Sequence, residues 1–186
     1  DVESEICFKR ALELDPLSEI AMTMYGIFCH KKGRNEESAS LLEKAIEQGS
    51  ENDTTFVTLA SVYLDLEKLD EVKQLLKKAR KLSGDSPWAV TMWGHFHALL
   101  GEKRETESSL KIVQKFPNEE MISPAYLGIL NFDLGKSEIA LPYFETALRK
   151  HDYELIYMTF MPSYKNLRED SKLMSLLNTL GLHDSA

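Results

Sequence analysis

Small and bulky residues return along this chain at a spacing of 34. Gly26, Ala60, Gly94 and Gly128 form one series; Ala11, Ala45, Ala79, Val113 and Ala147 form a second; Phe8, Leu42, Leu76, Leu110 and Phe144 form a third. Three series in phase make a repeat architecture the first matter to settle, because a period of about 20–50 residues marks stacked units, none of which buries its apolar face alone. A fourth mark, Gly33, Gly101 and Gly135, lies on the same grid and is broken only at Glu67. Each period holds two apolar patterns of helical spacing with a turn between them.

The small residues have a physical reason. The first helix of each period carries a bulky residue followed by a tiny one: Tyr25-Gly26, Leu59-Ala60, Trp93-Gly94 and Leu127-Gly128. Glycine within a helix costs about 1 kcal/mol relative to alanine, so its return at one phase implies close approach of the second helix. The alanines of the second helix form the other half of that contact. Gly33, Gly101 and Gly135 follow the first helix, where a left-handed residue ends it most cheaply as glycine. Ser86-Pro87 and Ser123-Pro124 supply an N-cap and a first-turn proline for the first helices of the third and fourth periods.

These motifs resemble the tetratricopeptide repeat, with its Trp, Leu-Gly and Tyr on helix A and its Ala, Phe, Ala and closing Pro on helix B. "FKRALELDP" places Phe8, Ala11 and Pro16 in that register; "LASVYLDLEKLDEV" supplies Leu59, Ala60 and Tyr63; "LNFDLGKSEIALPYFETAL" supplies Gly135, Ala140, Phe144 and Ala147. Cys29, His97 and Asn131 replace the usual tyrosine, Ser38, Val72 and Thr106 replace an alanine, and Pro142 intrudes into the last helix B. The resemblance covers residues 1 to about 150 and implies an all-α, right-handed superhelical solenoid of antiparallel helix pairs. Residues 1–16 would be the second helix of a truncated repeat, at about 2–14. Residues 17–150 would hold four pairs, at about 19–48, 53–82, 87–115 and 122–149, with stability close to a sum of nearest-neighbour terms.

Residues 151–186 fall outside the period. "PSYKNLREDSKLMSLLNTLGL" reads as a short apolar-basic knot followed by a capping helix from about Asp170 to Leu180, with Leu173, Leu176, Leu177 and Leu180 inward and Gly181 as its stop. The stretch is similar to the endings of bacterial tetratricopeptide-containing regulatory proteins, which carry Asp-Pro-Arg-Phe where Asp170, Ser171, Lys172 and Leu173 stand here. In such proteins the repeats follow a DNA-binding, cyclase or kinase domain.

Charge and composition narrow the function classes. A net charge of −8 without a block of Lys or Arg repels phosphate backbones, so nucleic-acid binding by this segment is not expected. No apolar run approaches the roughly 20 residues that span a bilayer, so membrane insertion is not expected either. Cys7 and Cys29 lie in apolar helical patterns and read as small core residues of a protein in a reducing compartment, the cytoplasm. Residue 1 is not methionine and no signal peptide precedes the first pattern, which makes a piece of a longer chain the expectation. No Gly-rich phosphate loop, Gly-x-Ser-x-Gly elbow or His-Glu-x-x-His is present. His95 and His97, two apart on a helix, diverge and cannot chelate one metal from that helix. Glu169-Asp170 beside Arg168 reads as a helix entry. No catalytic residue, metal site or cofactor is assigned, and the chain is read as a non-enzyme.

The functional surface is then the concave face. The resemblance implies a lining of Ile20, Thr23, Ile27, His30 and Lys31 in the first repeat and Thr54, Val57, Ser61, Leu64 and Asp65 in the second. It adds Trp88, Thr91, His95, Ala98 and Leu99 in the third, and Ile122, Ala125, Ile129, Phe132 and Asp133 in the fourth. The family's carboxylate clamp needs Lys and Asn where Thr23, Ile27, Val57 and Thr91 stand, so acidic chaperone tails are not the expected ligand. An extended apolar segment or an amphipathic helix suits such a groove better, although Leu64, Leu99 and Phe132 can equally pack on the next repeat. Two functions remain in view: a protein-interaction scaffold binding a protein or peptide partner, and a regulatory or sensor region of a larger signalling enzyme or transcription regulator. The helix at about 2–14 lacks its own helix A, so its apolar flank (Ile6, Phe8, Ala11, Leu12 and Leu14) is expected to support weak self-association.

Overall fold

The turn inside each hairpin sets the architecture. In the computed structural model, which describes residues 2–116 and 122–178, Gly33 has φ +70° and its amide donates to the His30 carbonyl at 2.9 Å, while the Arg34 amide donates to Cys29 at 2.9 Å. This is a Schellman closure, which satisfies the last carbonyls of the outgoing helix. It recurs at Glu67-Lys68, Gly101-Glu102 and Gly135-Lys136. The glycine series was interrupted at Glu67 by residue type alone: Glu67 adopts φ +59° like its glycine counterparts.

Two compact units result, Asp1–Ala89 and Val90–Ala186, with the division inside a continuous helix. The first holds α1 (Val2–Leu14), α2 (Glu19–Lys31), α3 (Asn35–Glu47), α4 (Asp53–Asp65), α5 (Leu69–Ser83) and the start of α6 (Pro87–Leu99). Each of α1 to α4 packs on the next helix, and α2 also touches α4. The second unit holds the rest of α6, then α7 (Lys103–Gln114), α8 (Pro124–Asp133) and α9 (Ser137–Arg149). It ends with α10 (Tyr153–Phe160), a 3₁₀ turn (Pro162–Tyr164), α11 (Lys165–Glu169) and α12 (Ser171–Asn178). Among the described residues there is no strand, and no helix is long and apolar enough to cross a membrane.

The tiny residues sit at helix crossings. A Cβ on Gly26 would lie 2.8 Å from Leu42 Cγ, and one on Gly128 would lie 2.5 Å from Phe144 Cε1, so a larger residue forces the partner helix away. Two of the three departures from alanine on helix B have their own bonds: Ser38 Oγ donates to the Gly26 carbonyl at 2.7 Å, and Thr106 Oγ1 to the Gly94 carbonyl at 2.9 Å. Buried hydroxyls thereby avoid the cost of lost hydration.

Side-chain oxygens cap the helix A starts: Ser18 accepts from Ala21 N, Asn52 from Thr54 N and Ser123 from Ala125 N. The 34-residue grid places Ile122 within a helix A, but α8 begins after its cap at Ser123, so Ile122 precedes the helix. The tail also departs from the sequence reading. Helix α10 was not anticipated; Asp152 caps it by accepting from Glu154 N at 2.9 Å, and its Leu155 and Met158 are fully buried. Helix α12 packs on α9 with Leu173 and Leu177 buried; the expected inward Leu180 and the stop at Gly181 lie outside the described residues.

Candidate functional site

In the first unit, many of the residues assigned to the concave face are enclosed. Thr23 is buried with its hydroxyl 2.9 Å from that of Thr55, which also lies 3.1 Å from Ser50 Oγ. His30 Nε2 is 2.7 Å from Asp65 Oδ2, and neither side chain reaches solvent. Val57, Ser61 and Leu64 are buried as well, while Thr54 and Trp88 are half-buried. These groups join helices rather than face a partner.

What stays accessible is a stripe on α2. Ile20 is 73% exposed, Ile27 half-buried and Lys31 exposed, and they align with a residue absent from the assigned set, Met24 (41% exposed). Positions 20, 24, 27 and 31 step by three and four, the spacing of one helical face. That register was present in the sequence; family positions alone passed over Met24.

Two periods further on, α6 presents the equivalent stripe: Trp88, Met92, His95 and Leu99. Within the second unit its central residues are covered. Tyr164 stacks on His95 with centroids 3.9 Å apart and rings 8° from parallel, and its hydroxyl donates to Met92 Sδ at 2.9 Å. Met161 is fully buried, and Arg168 Nη1 fastens the segment by donating to the carbonyls of Thr159 at 2.5 Å and Met161 at 3.0 Å. Beneath it, His95 Nδ1 lies 2.9 Å from Asp133 Oδ2. Thr91, Ile122, Ala125 and Ile129 are buried, Ala98, Phe132 and Asp133 half-buried, and Leu99 exposed. Of the assigned residues, His95 thus meets the chain's own Tyr164.

The polar residues weighed for chemistry have structural partners. His95 faces Asp133 whereas His97 Nδ1 faces Glu102, so the two imidazoles belong to different carboxylates. Asp170 Oδ1 caps α12, accepting from the amides of Lys172 and Leu173. Cys29 is buried, accepts from Arg34 Nη2 at 3.1 Å, and its thiol is pushed up to about 11 by burial. Cys7 corrects the sequence reading: it is exposed, on a helix that among the described residues packs chiefly on α2. Among the described residues, no three His, Cys, Asp or Glu groups converge to hold a metal.

No protein-family model and no curated protein matches the sequence. Solved structures do. A thermophilic TPR protein of Thermus thermophilus superposes with TM-score 0.67 at 20% identity, over 94% of this chain and 89% of that one. PilF of Pseudomonas aeruginosa gives 0.58 at 18% identity, over 90% and 77%. YrrB, described as a TPR protein with an unusual peptide-binding site, gives 0.52 at 22% identity, over 96% and 83%. Helix pairs at a 34-residue period, closed by a repeated left-handed turn and superposing on these structures, identify the tetratricopeptide-repeat fold.

Proposed function

We propose that this chain is a non-enzymatic protein-interaction scaffold that takes a peptide or helical segment on the helix A face, with the α2 stripe as the open part of that surface. The supporting observation is the equivalent stripe of α6, which already accommodates a polypeptide segment: Tyr164 lies on His95 and Met92 as a ligand's aromatic side chain would. The peptide-binding site for which YrrB is described is consistent with this use of the fold. Ile20, Met24 and Ile27 supply apolar area, and Lys31 at the end of the stripe favours an acidic group or a carboxy terminus in the ligand. The exposed Val2, Ile6 and Leu14 of α1 also support association between copies.

Peptides selected from a displayed random library against the whole chain provide the test. Ile20→Asp is expected to weaken the selected peptides about tenfold or more, equivalent to about 1.4 kcal/mol, while the far-ultraviolet helical signal is unchanged. Equal binding by wild type and variant overturns the assignment to α2. Sedimentation of both proteins over a wide concentration range separates peptide binding from self-association, which Ile6→Glu should suppress; Phe8 instead packs α1 on Tyr25 and Phe28 of α2.

A further inference from the structure

A second surface lies away from the helix A stripe. Helices α3, α4 and α5 enclose an open cleft of about 410 Å³, within the roughly 300–1,000 Å³ of ligand-binding clefts. Its floor is apolar: Leu59 belongs to the buried core with Ala39, Leu42 and Val62, and Ile46 and Leu75 pack against that core. Its rim carries Glu43 and Glu47 from α3 and Glu71 from α5. Tyr63 donates its hydroxyl to Glu43, and Lys68 Nζ lies 4.6 Å above the Tyr63 ring. Glu47 and Glu71 have no ion pair or hydrogen bond among the described residues.

Glu47 is placed against the local field. It is the last residue of α3, where the unpaired carbonyls already make the helix end negative and a cation is the favoured neighbour. Glu71 belongs to the first turn of α5, where its charge supports that helix, yet it faces the same cleft. An apolar floor between carboxylates on opposite walls matches a ligand with apolar side chains in its centre and cations at its edges. The open mouth suits the face of a helix, whose apolar stripe is about as wide as one such cleft. The geometry points to this cleft as a docking site for a basic amphipathic helix of a partner protein, with Leu-type side chains on Ile46 and Leu75 and Lys or Arg side chains at Glu47 and Glu71.

The probe is a labelled peptide of about 14 residues, roughly four turns, with leucines on one helical face and lysines on the other; its counterpart has every lysine replaced by glutamate. Titrated against the full chain, the lysine peptide is expected to bind at least about tenfold more tightly than the glutamate peptide. Its affinity should fall as salt rises from about 50 to about 200 mM. Glu47→Lys with Glu71→Lys should remove about tenfold of that affinity with the melting temperature preserved. Two results overturn the proposal: equal binding of the two peptides, or no loss on charge reversal. A dimer in sedimentation that the charge reversal abolishes also overturns it, because the cleft then belongs to a second copy.

Discussion

Helices α2 and α6 occupy the same place in their repeats, and their outward stripes correspond residue for residue: Ile20 with Trp88, Met24 with Met92, Ile27 with His95, Lys31 with Leu99. On α2 the stripe is open; Ile20 and Met24 are 73% and 41% exposed. On α6, Met92 is 1% and His95 3% exposed, because Tyr164 rests on both. The difference teaches that a position in the repeat does not define a binding residue. The same register is exposed on α2, where no described segment covers it, and core on α6, where a later segment docks.

Removing the cover is the strongest way to break this comparison. Tyr164→Ala deletes a ring that is 2% exposed and should destabilise the chain by about 3–5 kcal/mol, the usual range for a buried aromatic truncated to alanine. Ile20→Ala on the open stripe should stay within about 0.5 kcal/mol of wild type. Urea denaturation of the two variants measures both, and a loss below about 1 kcal/mol for Tyr164→Ala would mean that the segment does not dock on α6.

A pH series sharpens the comparison from the helix that leads into the cover. Burial, then the neighbouring Asp152 carboxylate, raises the Glu154 carboxyl on α10 to about 7, against a partial offset from a Tyr126 hydrogen bond. An acid whose folded pKa lies above its unfolded value of about 4.3 binds more protons when folded, so stability falls as pH rises between those values and is level above about 7. Glu154→Gln removes the ionisable group and should stabilise the chain by about 1–2 kcal/mol at about pH 8 but hardly at about pH 4. Denaturation midpoints at the two pH values give the result; an equal gain at both would assign the effect to packing.

The smallest effect is expected on the open unit. Glu67 holds a left-handed conformation that costs a non-glycine residue about 1–2 kcal/mol. Glu67→Gly recovers part of that strain and loses part of it again to the freer unfolded chain, leaving a gain of about 1 kcal/mol or less. For a chain of this size that corresponds to a melting temperature higher by up to about 2–4 °C. A lowered melting temperature would show that the Glu67 side chain contributes more than its backbone strain.

Much of the fold was legible in particular residues. Gly26 and Gly128 announced the crossings at Leu42 and Phe144, and Gly33, Gly101 and Gly135 announced the left-handed turns. Glu67 was not legible as the fourth such turn, since the hairpin imposes the conformation and tolerates the unfavourable residue. The site was legible to a lesser degree. Register placed Ile20, Ile27 and Lys31 on an exposed face, but it equally nominated Val57, Thr91, Ala125 and Ile129, which are fully buried. Burial depends on neighbours brought from elsewhere in the chain, and a periodic pattern holds no term for them.

The sequence by itself determined the period, the helix pairs and their close crossings, because these follow from local spacing of apolar residues and from the steric match between a tiny side chain and its partner one helix later. Only the tertiary structure decided which helix A face is open. The contact between Tyr164 and Met92 joins residues 72 apart, and Tyr164 belongs to the segment where the repeat has ended. Its docking is set by shape and burial at one place on α6, and no residue within the period encodes it.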